Sequence, residues 1–258
     1  MKISAVIIAF NEEAKIGDAI SSVDWSDEVL VVDGESTDRT KQIAEDLGAR
    51  VITRAWPGFS AQKQFGMDSA ANDWILSLDA DERVSDELRQ EILAIKEDAG
   101  GPGASGYRIP RLTYYMGRPI RHSGWYPDWQ LRLFDRRKGK WKEVLVHESV
   151  AMQPGAAVQK LTGDILHYSI DSPAQHHEMI GTRYAPLAAR QMYERGRRTN
   201  ALKTAFAGPI AFASTYLLKA GFLDGMPGFS IARFAAHHAF LKHIILQEIQ
   251  NGHGHGKR

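Results

Sequence analysis

Short apolar segments alternate with segments of helical spacing along the first hundred residues, and this alternation limits the possible folds more than any other feature. Ile3–Phe10 is a continuous apolar run, which is typical of a strand covered on both faces. Three further strands are predicted at Glu28–Val32, Val51–Ile52 and Trp74–Leu78. Helices are predicted at Glu13–Val23, Thr37–Leu47 and Ala61–Ala71, with a fourth that Ser85 caps. Strand–helix alternation is typical of βαβ units, so the sequence predicts an α/β fold with a Rossmann-like, mostly parallel, doubly wound sheet.

The rest of the chain changes character twice. Residues 107–168 are rich in aromatic and β-type residues, and the chain becomes helical after a capping box at Ser172–Gln175. Helices are predicted at roughly 173–195, 200–220 and 228–249. The predicted organisation is one α/β domain over residues 1–170, a basic helical region over residues 171–250 and a disordered tail over residues 251–258.

Charge is distributed unevenly although the net charge is only +1. Residues 1–100 carry 10 Lys/Arg against 21 Asp/Glu, whereas residues 183–258 carry 11 Lys/Arg against 3 Asp/Glu. Such asymmetry indicates different partners for the two ends. No nucleic-acid motif accompanies the basic end, so we expect an anionic membrane surface there and no nucleic acid. The chain has no cysteine, which excludes disulfides and thiolate metal sites and fits a reducing, cytoplasmic compartment.

An uncharged stretch of fifteen residues lies between Lys203 and Lys219. It is too short to span a bilayer core of roughly 30 Å, and Gly208-Pro209 interrupts it. Because three arginines precede it, at 195, 197 and 198, we expect an element that lies in the membrane interface. The alternative is that these helices pack on the α/β domain or form a homodimer.

Polar side chains follow three of the four predicted strands, at the point where each strand ends. The first strand leads into Asn11-Glu12, the second into Asp33 and the fourth into Asp79-Ala80-Asp81. Open parallel sheets bind ligands at the carboxyl ends of their strands. Two carboxylates one residue apart provide hard oxygen ligands for Mg²⁺ or Mn²⁺, and such a metal can hold a diphosphate. Each of these strand ends alone is typical of an ordinary turn, but three together indicate a site.

These segments resemble the family 2 glycosyltransferases, which have the GT-A fold. The segments that carry the resemblance are Ala5–Glu13, Val31–Gly34, Ser36–Thr40, Gly58-Phe59, Gln62-Lys63 and Asn72–Arg83. Others are similar to the branch that builds lipopolysaccharide or lipooligosaccharide cores with β-1,4-linked glucose: Gly117-Arg118, Ile120–His122, Gly124–Asp128, Gln130–Phe134 and Val146–Glu148. The resemblance covers residues 3–150 closely and the helical region loosely. It implies that residues 1–100 bind a nucleotide sugar and that residues 101–170 bind the acceptor.

The resemblance also implies roles for particular residues on the donor side. Asn11, Glu12 and Asp33 would contact the nucleobase and the ribose, because carboxylates and amides accept hydrogen bonds from N–H and O–H groups. Lys63 would approach the diphosphate, the alternative being a solvated helix lysine. Asp79 would face the ribose. The metal would be bound by Asp81, with His147 as an additional ligand.

Two carboxylates compete for the role of the base that deprotonates the acceptor hydroxyl. Asp128 follows a rigid aromatic turn, Trp125-Tyr126-Pro127, and we prefer it to Glu148, which follows His147. For either carboxylate the alternative is an ion pair with a nearby arginine at 121, 132 or 136. The acceptor sugar would contact Trp125, Tyr126 and Arg132.

The expected activity is therefore metal-dependent, inverting transfer of a hexose, with UDP-glucose as the expected donor. The acceptor would be a lipopolysaccharide core or another lipid-linked saccharide, presented to a peripheral enzyme at the cytoplasmic face of the inner membrane. Alternatives are a polysaccharide or protein acceptor, or a module that binds nucleotide sugar or lipid without turnover. An Asp-x-Asp phosphatase is disfavoured, because Arg83 stands where that class needs Thr or Val.

Overall fold

The computed structural model describes residues 1–142 and 149–252, which belong to two compact units. Unit 1 comprises Met1–Leu112 and Asp128–Ser169, and unit 2 comprises Thr113–Pro127 and the chain from Ile170 onwards. The alternative base Glu148 and the additional metal ligand His147 lie outside the described residues, as does most of the predicted tail, 253–258.

Twelve strands occur within the described ranges. They are β1 (Ile3–Ala9), β2 (Glu28–Asp33), β3 (Arg50–Thr53), β4 (Trp74–Asp79), β5 (Glu82–Val84), β6 (Gly106–Tyr115), β7 (Arg118–Pro119), β8 (Asp128–Asp135), β9 (Gly139–Trp141), β10 (Val150–Met152), β11 (Val158–Lys160) and β12 (Ile165–Ile170). The main sheet has the order β3-β2-β1-β4-β8-β6-β12-β5. The first four strands run parallel, whereas β8 is antiparallel to both β4 and β6. The predicted α/β class and doubly wound parallel sheet are confirmed.

The helices of the described chain connect the parallel strands and then form the C-terminal region. They are α1 (Ile16–Ser21), α2 (Thr40–Asp46), α3 (Phe59–Ser69), α4 (Asp86–Glu97), α5 (Pro173–Met179), α6 (Ala185–Glu194), α7 (Ala201–Ala213) and α8 (Gly225–Gln250). The predicted caps are present, because Ser85 accepts from the Leu88 N–H and Ser172 accepts from the Gln175 N–H. Each cap satisfies a backbone donor that the helix itself leaves unpaired.

The predicted continuous helices at 173–195 and 200–220 are each interrupted by a π-helical turn. The first, Ile180–Tyr184, precedes Pro186, which has no backbone N–H to donate to the preceding turn. The second, Ser214–Leu218, ends where Ala220 adopts a left-handed backbone with φ of 52°, and a 3₁₀ turn at Gly221–Asp224 then leads into α8. α8 therefore starts three residues earlier than the predicted limit of 228.

The central strand β1 explains why the sequence begins with an apolar run that only Ser4 interrupts. All seven of its residues are buried, and successive side chains point to opposite faces of the sheet. Ile3, Ala5 and Ile7 belong to one core cluster with α1 and α4, whereas Val6 and Ile8 belong to a second cluster with α3. Helical layers on both faces leave β1 no polar side.

Unit 2 has a small core of its own around Tyr115, Ile120 and Ile231. Among the described residues no single helix is long and apolar enough to cross a bilayer. By length and composition alone, the pair formed by Ala201–Leu218 and Gly221–Gln250 passes that test together, with a bend of 72° at the break.

A buried histidine in unit 2 should make stability depend on pH. The His176 ring packs against Trp125 and Phe234, and its Nδ1 lies 3.3 Å from the Tyr115 hydroxyl. Burial lowers the pKa of His176 to about 4. The unfolded chain binds this proton near pH ~6.5, so the unfolded state takes up more protons as the pH falls from there towards 4. The free energy of unfolding should therefore decrease on acidification across this window.

We expect urea unfolding to show a decrease of about 1–2 kcal/mol between about pH 7 and about pH 5 from this group. Burial also lowers the pKa of His238 and His243, which adds an effect of the same sign. His176→Phe should flatten the dependence in part. An unchanged pH dependence in this variant would assign the effect to other groups.

Candidate functional site

The polar strand ends predicted from the sequence meet at one edge of the sheet. β1 lies between β2 and β4, and the register pairs Ala9 with Asp33 and Ile8 with Asp79. The Gly34 N–H donates to the Ala9 carbonyl at 2.8 Å, which continues the pairing beyond β2. All three carboxyl ends therefore open on the same side of the molecule.

The ends of β1 and β2 are joined by hydrogen bonds from the polar residues. Asn11 has a left-handed backbone with φ of 55°, and its side-chain oxygen accepts from the Thr37 N–H at 2.8 Å. The Glu12 N–H donates to the Thr40 hydroxyl at 2.8 Å. Asp33 is buried and accepts from the Ser36 N–H at 3.2 Å. These hydrogen bonds hold the loops at the ends of β1 and β2 in place, where the nucleobase and ribose are predicted to bind. That Asn11, Glu12 and Asp33 contact a nucleotide stays a prediction.

Asp79, at the end of β4, is held between two buried cations. Its Oδ1 lies 2.8 Å from Lys63 Nζ, and its Oδ2 lies 3.3 Å from Arg132 Nη2. Burial by itself would raise the pKa of the Asp79 carboxyl, but Lys63 and Arg132 outweigh burial and hold the pKa well below its usual range. Lys63 is buried, with its ammonium 5.1 Å from the centre of the Trp141 ring. The alternative of a solvated helix lysine is thus excluded.

Glu82 connects Arg132 to a second arginine, Arg111. The sequence alone did not single out Glu82 as a site residue. It is fully buried at the start of β5, where it accepts from Arg132 Nη2 at 2.7 Å and from Arg111 Nη1 at 3.2 Å. Its other oxygen accepts from the Asp79 N–H at 3.0 Å. One sequence signal could have indicated its burial: side chains two positions apart in a strand share a face, so Glu82 lies on the same inward face of β5 as Val84.

Asp128, the preferred base, is paired with Arg111 by the register of the sheet. The two residues face each other on the antiparallel strands β6 and β8. Arg111 donates to Asp128 Oδ2 from both Nε, at 3.0 Å, and Nη2, at 2.7 Å, while Gln130 donates to Oδ1 at 2.7 Å. An ion pair was the alternative for this carboxylate, but its partner is Arg111 rather than an arginine at 121, 132 or 136. The Asp128 side chain remains partly exposed.

The metal prediction depends on Asp81, which lies beside a histidine that the sequence analysis did not select. Asp81 Oδ2 is 3.5 Å from Nε2 of His167, which stands opposite Glu82 on β12. Within residues 1–142 and 149–252 no group of three or more His, Asp or Glu side chains could hold a metal ion. A carboxylate and an imidazole still fit a divalent cation whose other ligands are phosphate oxygens and water. Asp79 does not fit that role, because a metal cation on its oxygens would lie beside the positive charges of Lys63 and Arg132.

Two of the predicted acceptor contacts differ from expectation. Arg132 is buried and its guanidinium contacts Asp79 and Glu82, which leaves it little exposed surface for an acceptor sugar. Trp125 lies in unit 2 and packs edge-on against Tyr115, with ring centres 5.8 Å apart, so at least part of its surface fills core. Tyr126 is partly exposed beneath the Arg121 guanidinium, 5.4 Å from the ring centre.

Known glycosyltransferases are similar to this chain over most of its length. Residues 4–156 match the family described as Glycosyl transferase family 2. The lipopolysaccharide core biosynthesis glycosyltransferase LpsC of Rhizobium meliloti is 32% identical, over 93% of this chain and 90% of LpsC. An uncharacterized glycosyltransferase of Rickettsia typhi is 32% identical, over 96% of this chain and 87% of the relative. Residues 1–349 of S. aureus TarS are 15% identical, over 98% of this chain and 92% of that structure, with a TM-score of 0.48.

The parallel sheet, the carboxylates at its strand ends and the family match together define a glycosyltransferase of the GT-A fold. The chain belongs to glycosyl transferase family 2.

Proposed function

We propose that the protein transfers a hexose, with glucose as the expected sugar, from a UDP-sugar to a lipopolysaccharide core or another lipid-linked saccharide. The observation that carries this proposal is a continuous chain of charged side chains in unit 1, which we call the charge chain. It comprises Lys63, Asp79, Arg132, Glu82, Arg111 and Asp128, in order of contact. It joins the predicted donor carboxylate to the predicted base. The name of LpsC supports the choice of acceptor.

On the donor side, the charge chain keeps Asp79 ionised at neutral pH. An ionised carboxylate accepts hydrogen bonds from ribose hydroxyls without itself needing a donor. Asn11, Glu12 and Asp33 would complete the nucleoside contacts at the neighbouring strand ends. Asp81 and His167 would hold Mg²⁺ or Mn²⁺, which when bound stabilises the negative charge of the departing diphosphate.

On the acceptor side, Asp128 takes the proton of the attacking hydroxyl. The acceptor oxygen then bonds to the anomeric carbon, and the bond from that carbon to the phosphate oxygen breaks, so the nucleoside diphosphate leaves with the electron pair. One displacement inverts the anomeric centre. Arg111 and Gln130 orient the carboxylate and use three of its roughly four acceptor sites, so one lone pair on Oδ1 stays free for the proton.

Release of nucleoside diphosphate tests the proposal. The purified chain is incubated with Mn²⁺ or Mg²⁺ and a panel of nucleotide sugars, with and without core lipopolysaccharide. We expect release that needs both the metal and the acceptor, and that is fastest with UDP-glucose. Absence of metal-dependent release with every donor would contradict the transferase proposal. Acceptor-independent binding without release would favour the non-catalytic alternative.

Asp81→Asn should lower the rate of release about 100-fold, because the amide loses the charge that attracts the divalent cation. Titration with Mn²⁺ should show a matching loss of metal affinity. Asp86→Asn is the matched control, since Asp86 lies five positions further on, in the first turn of α4 and exposed to solvent. Full activity of the Asp81 variant would remove the metal role from this residue.

A lipid-linked acceptor would require the enzyme to work at the cytoplasmic face of the inner membrane as a peripheral protein. The uneven charge of the chain supports this location, because the basic end suits an anionic surface. A homodimer formed through the helical region remains the competing arrangement, and light scattering of the pure protein distinguishes the two.

A further inference from the structure

Unit 2 exposes a concentration of large apolar side chains between residues 202 and 229. Nine of the nineteen exposed large apolar side chains of the described chain fall within these 28 residues. We call this segment the apolar hairpin, and its exposed members are Leu202, Phe206, Ile210, Leu217, Leu218, Phe222, Leu223, Met226 and Phe229. Apolar residues scattered singly over a surface need no explanation, whereas a dense patch indicates an interaction site.

The helical geometry turns these side chains outward as a group. Leu202, Phe206 and Ile210 recur every four residues and so form one stripe along α7. The stripe leads into the π turn, where Leu218 is 84% exposed. Phe222 and Leu223 follow in the 3₁₀ turn. The exposed row therefore runs along α7 and around the tip of the hairpin.

The start of α8 packs tightly against the 3₁₀ turn of the apolar hairpin. A Cβ atom on Gly228 would lie 1.8 Å from the Gly221 carbonyl oxygen, so the start of α8 already touches the 3₁₀ turn. Behind the tip, Phe212 and Phe229 both pack against Tyr216, with ring centres 5.4 and 5.8 Å away. The tip of the apolar hairpin is therefore closely packed behind its exposed side chains.

The charges around the apolar hairpin are almost all positive. From Arg195 to Lys242 the sequence holds seven Lys/Arg and a single carboxylate, Asp224. Asp224 is buried and turned inward, where it accepts from the backbone N–H groups of Arg121 and His122. The charges that face solvent here, Lys203 and Lys219 among them, are therefore cationic.

We propose that the apolar hairpin docks on a bilayer that contains anionic lipids, with its apolar side chains inserted below the headgroups and Lys203 and Lys219 at headgroup level. A broad apolar face with a cationic rim is the composition of helices that lie in the membrane interface. A second copy of the chain fits less well, because a two-fold interface would bring the cationic rims of both copies together. The inference deepens the proposed function, since it gives the route by which the enzyme reaches a lipid-linked acceptor.

Vesicle flotation of the full chain tests the docking. Vesicles of phosphatidylcholine are compared with vesicles that contain about 30% phosphatidylglycerol, at low and high salt. We expect at least about tenfold stronger partitioning to the anionic vesicles, and loss of this difference in Lys203→Glu/Lys219→Glu. Lys41→Glu is the matched control, because Lys41 is a half-exposed cation on α2.

Leu218→Asp tests the apolar contribution and should weaken binding to anionic vesicles about tenfold or more. Leu47→Asp, at an exposed leucine in unit 1, should leave binding unchanged. Circular dichroism checks that both variants fold. Equal binding to both vesicle types, or unchanged binding of the Leu218 variant, would overturn the proposal. So would light scattering in which the unsubstituted chain is a dimer and the Leu218 variant a monomer.

Neither arm of this experiment depends on glycosyl transfer. Release of nucleoside diphosphate is measured without vesicles, and flotation is measured without donor or acceptor. A chain that floats but does not release diphosphate would retain the docking surface and lose the proposed function. A chain that releases diphosphate but does not float would retain the proposed function and lose the docking surface.

Discussion

Asp128→Asn is expected to lower kcat about 1000-fold, within the range that removal of a general base produces. The amide has nearly the same shape, so Gln130 and β8 should keep their positions, but it cannot take the proton of the acceptor hydroxyl. KM for the nucleotide sugar should change little, because the donor contacts lie on the other side of the charge chain. Initial rates of nucleoside diphosphate release at saturating donor and acceptor measure the effect.

Asp135→Asn is the matched control for this prediction. Asp128 and Asp135 are the first and last residues of β8, and each is paired with an arginine, Asp135 with Arg137 at 2.7 Å. Asp135 faces Trp74 at the start of β4, so it lies at the opposite edge of the sheet from Asp79. Its variant should keep most of its turnover. If Glu148→Gln loses far more activity than Asp128→Asn, the base is Glu148.

Glu82→Gln should lower the free energy of unfolding by about 3–5 kcal/mol, which is typical when one partner of a buried ion pair is removed. The amide would leave the buried Arg132 and the partly exposed Arg111 without the carboxylate that both of them contact. It would also present N–H groups to arginines that need acceptors. Urea unfolding at neutral pH, followed by circular dichroism, measures the change.

Glu45→Gln provides the comparison for an exposed pair. Glu45 lies 3.8 Å from Lys41 on the surface of α2, and its loss should cost less than about 1 kcal/mol. Glu82→Asp, which retains the charge on a shorter side chain, should recover part of the stability. A Glu82→Gln variant as stable as Glu45→Gln would show that the two arginines find other acceptors.

Much of unit 1 followed from local pattern. β1 is buried on both faces and is therefore apolar except for Ser4, whose buried hydroxyl is hydrogen-bonded, and the alternation after it predicted the parallel strands. The carboxyl ends of adjacent parallel strands must share an edge, so Asn11, Asp33 and Asp79 were expected to lie together. Lys63 was expected near this edge, although its direct contact with Asp79 was not.

The remaining features depend on contacts between residues that are distant in sequence. Arg111 meets Asp128 because β6 and β8 pair antiparallel in one register, and a shift of one residue would separate the two side chains. His167 reaches Asp81 through the pairing of β12 with β5. Neither strand pairing can be recognised from the sequence of either strand alone. Likewise, Trp125 follows a polar segment, so its sequence context does not predict burial. In the structure it packs against Tyr115 and His176, which are distant in sequence.

The charge chain contains equal numbers of opposite charges, three carboxylates and three cations. Its formal net charge is therefore zero, even though it contains two arginines and a lysine. A diphosphate that approaches this edge meets little net attraction from these six groups, because each cation already faces a carboxylate. Its negative charge has to be balanced by other groups or by a cation that arrives with the nucleotide.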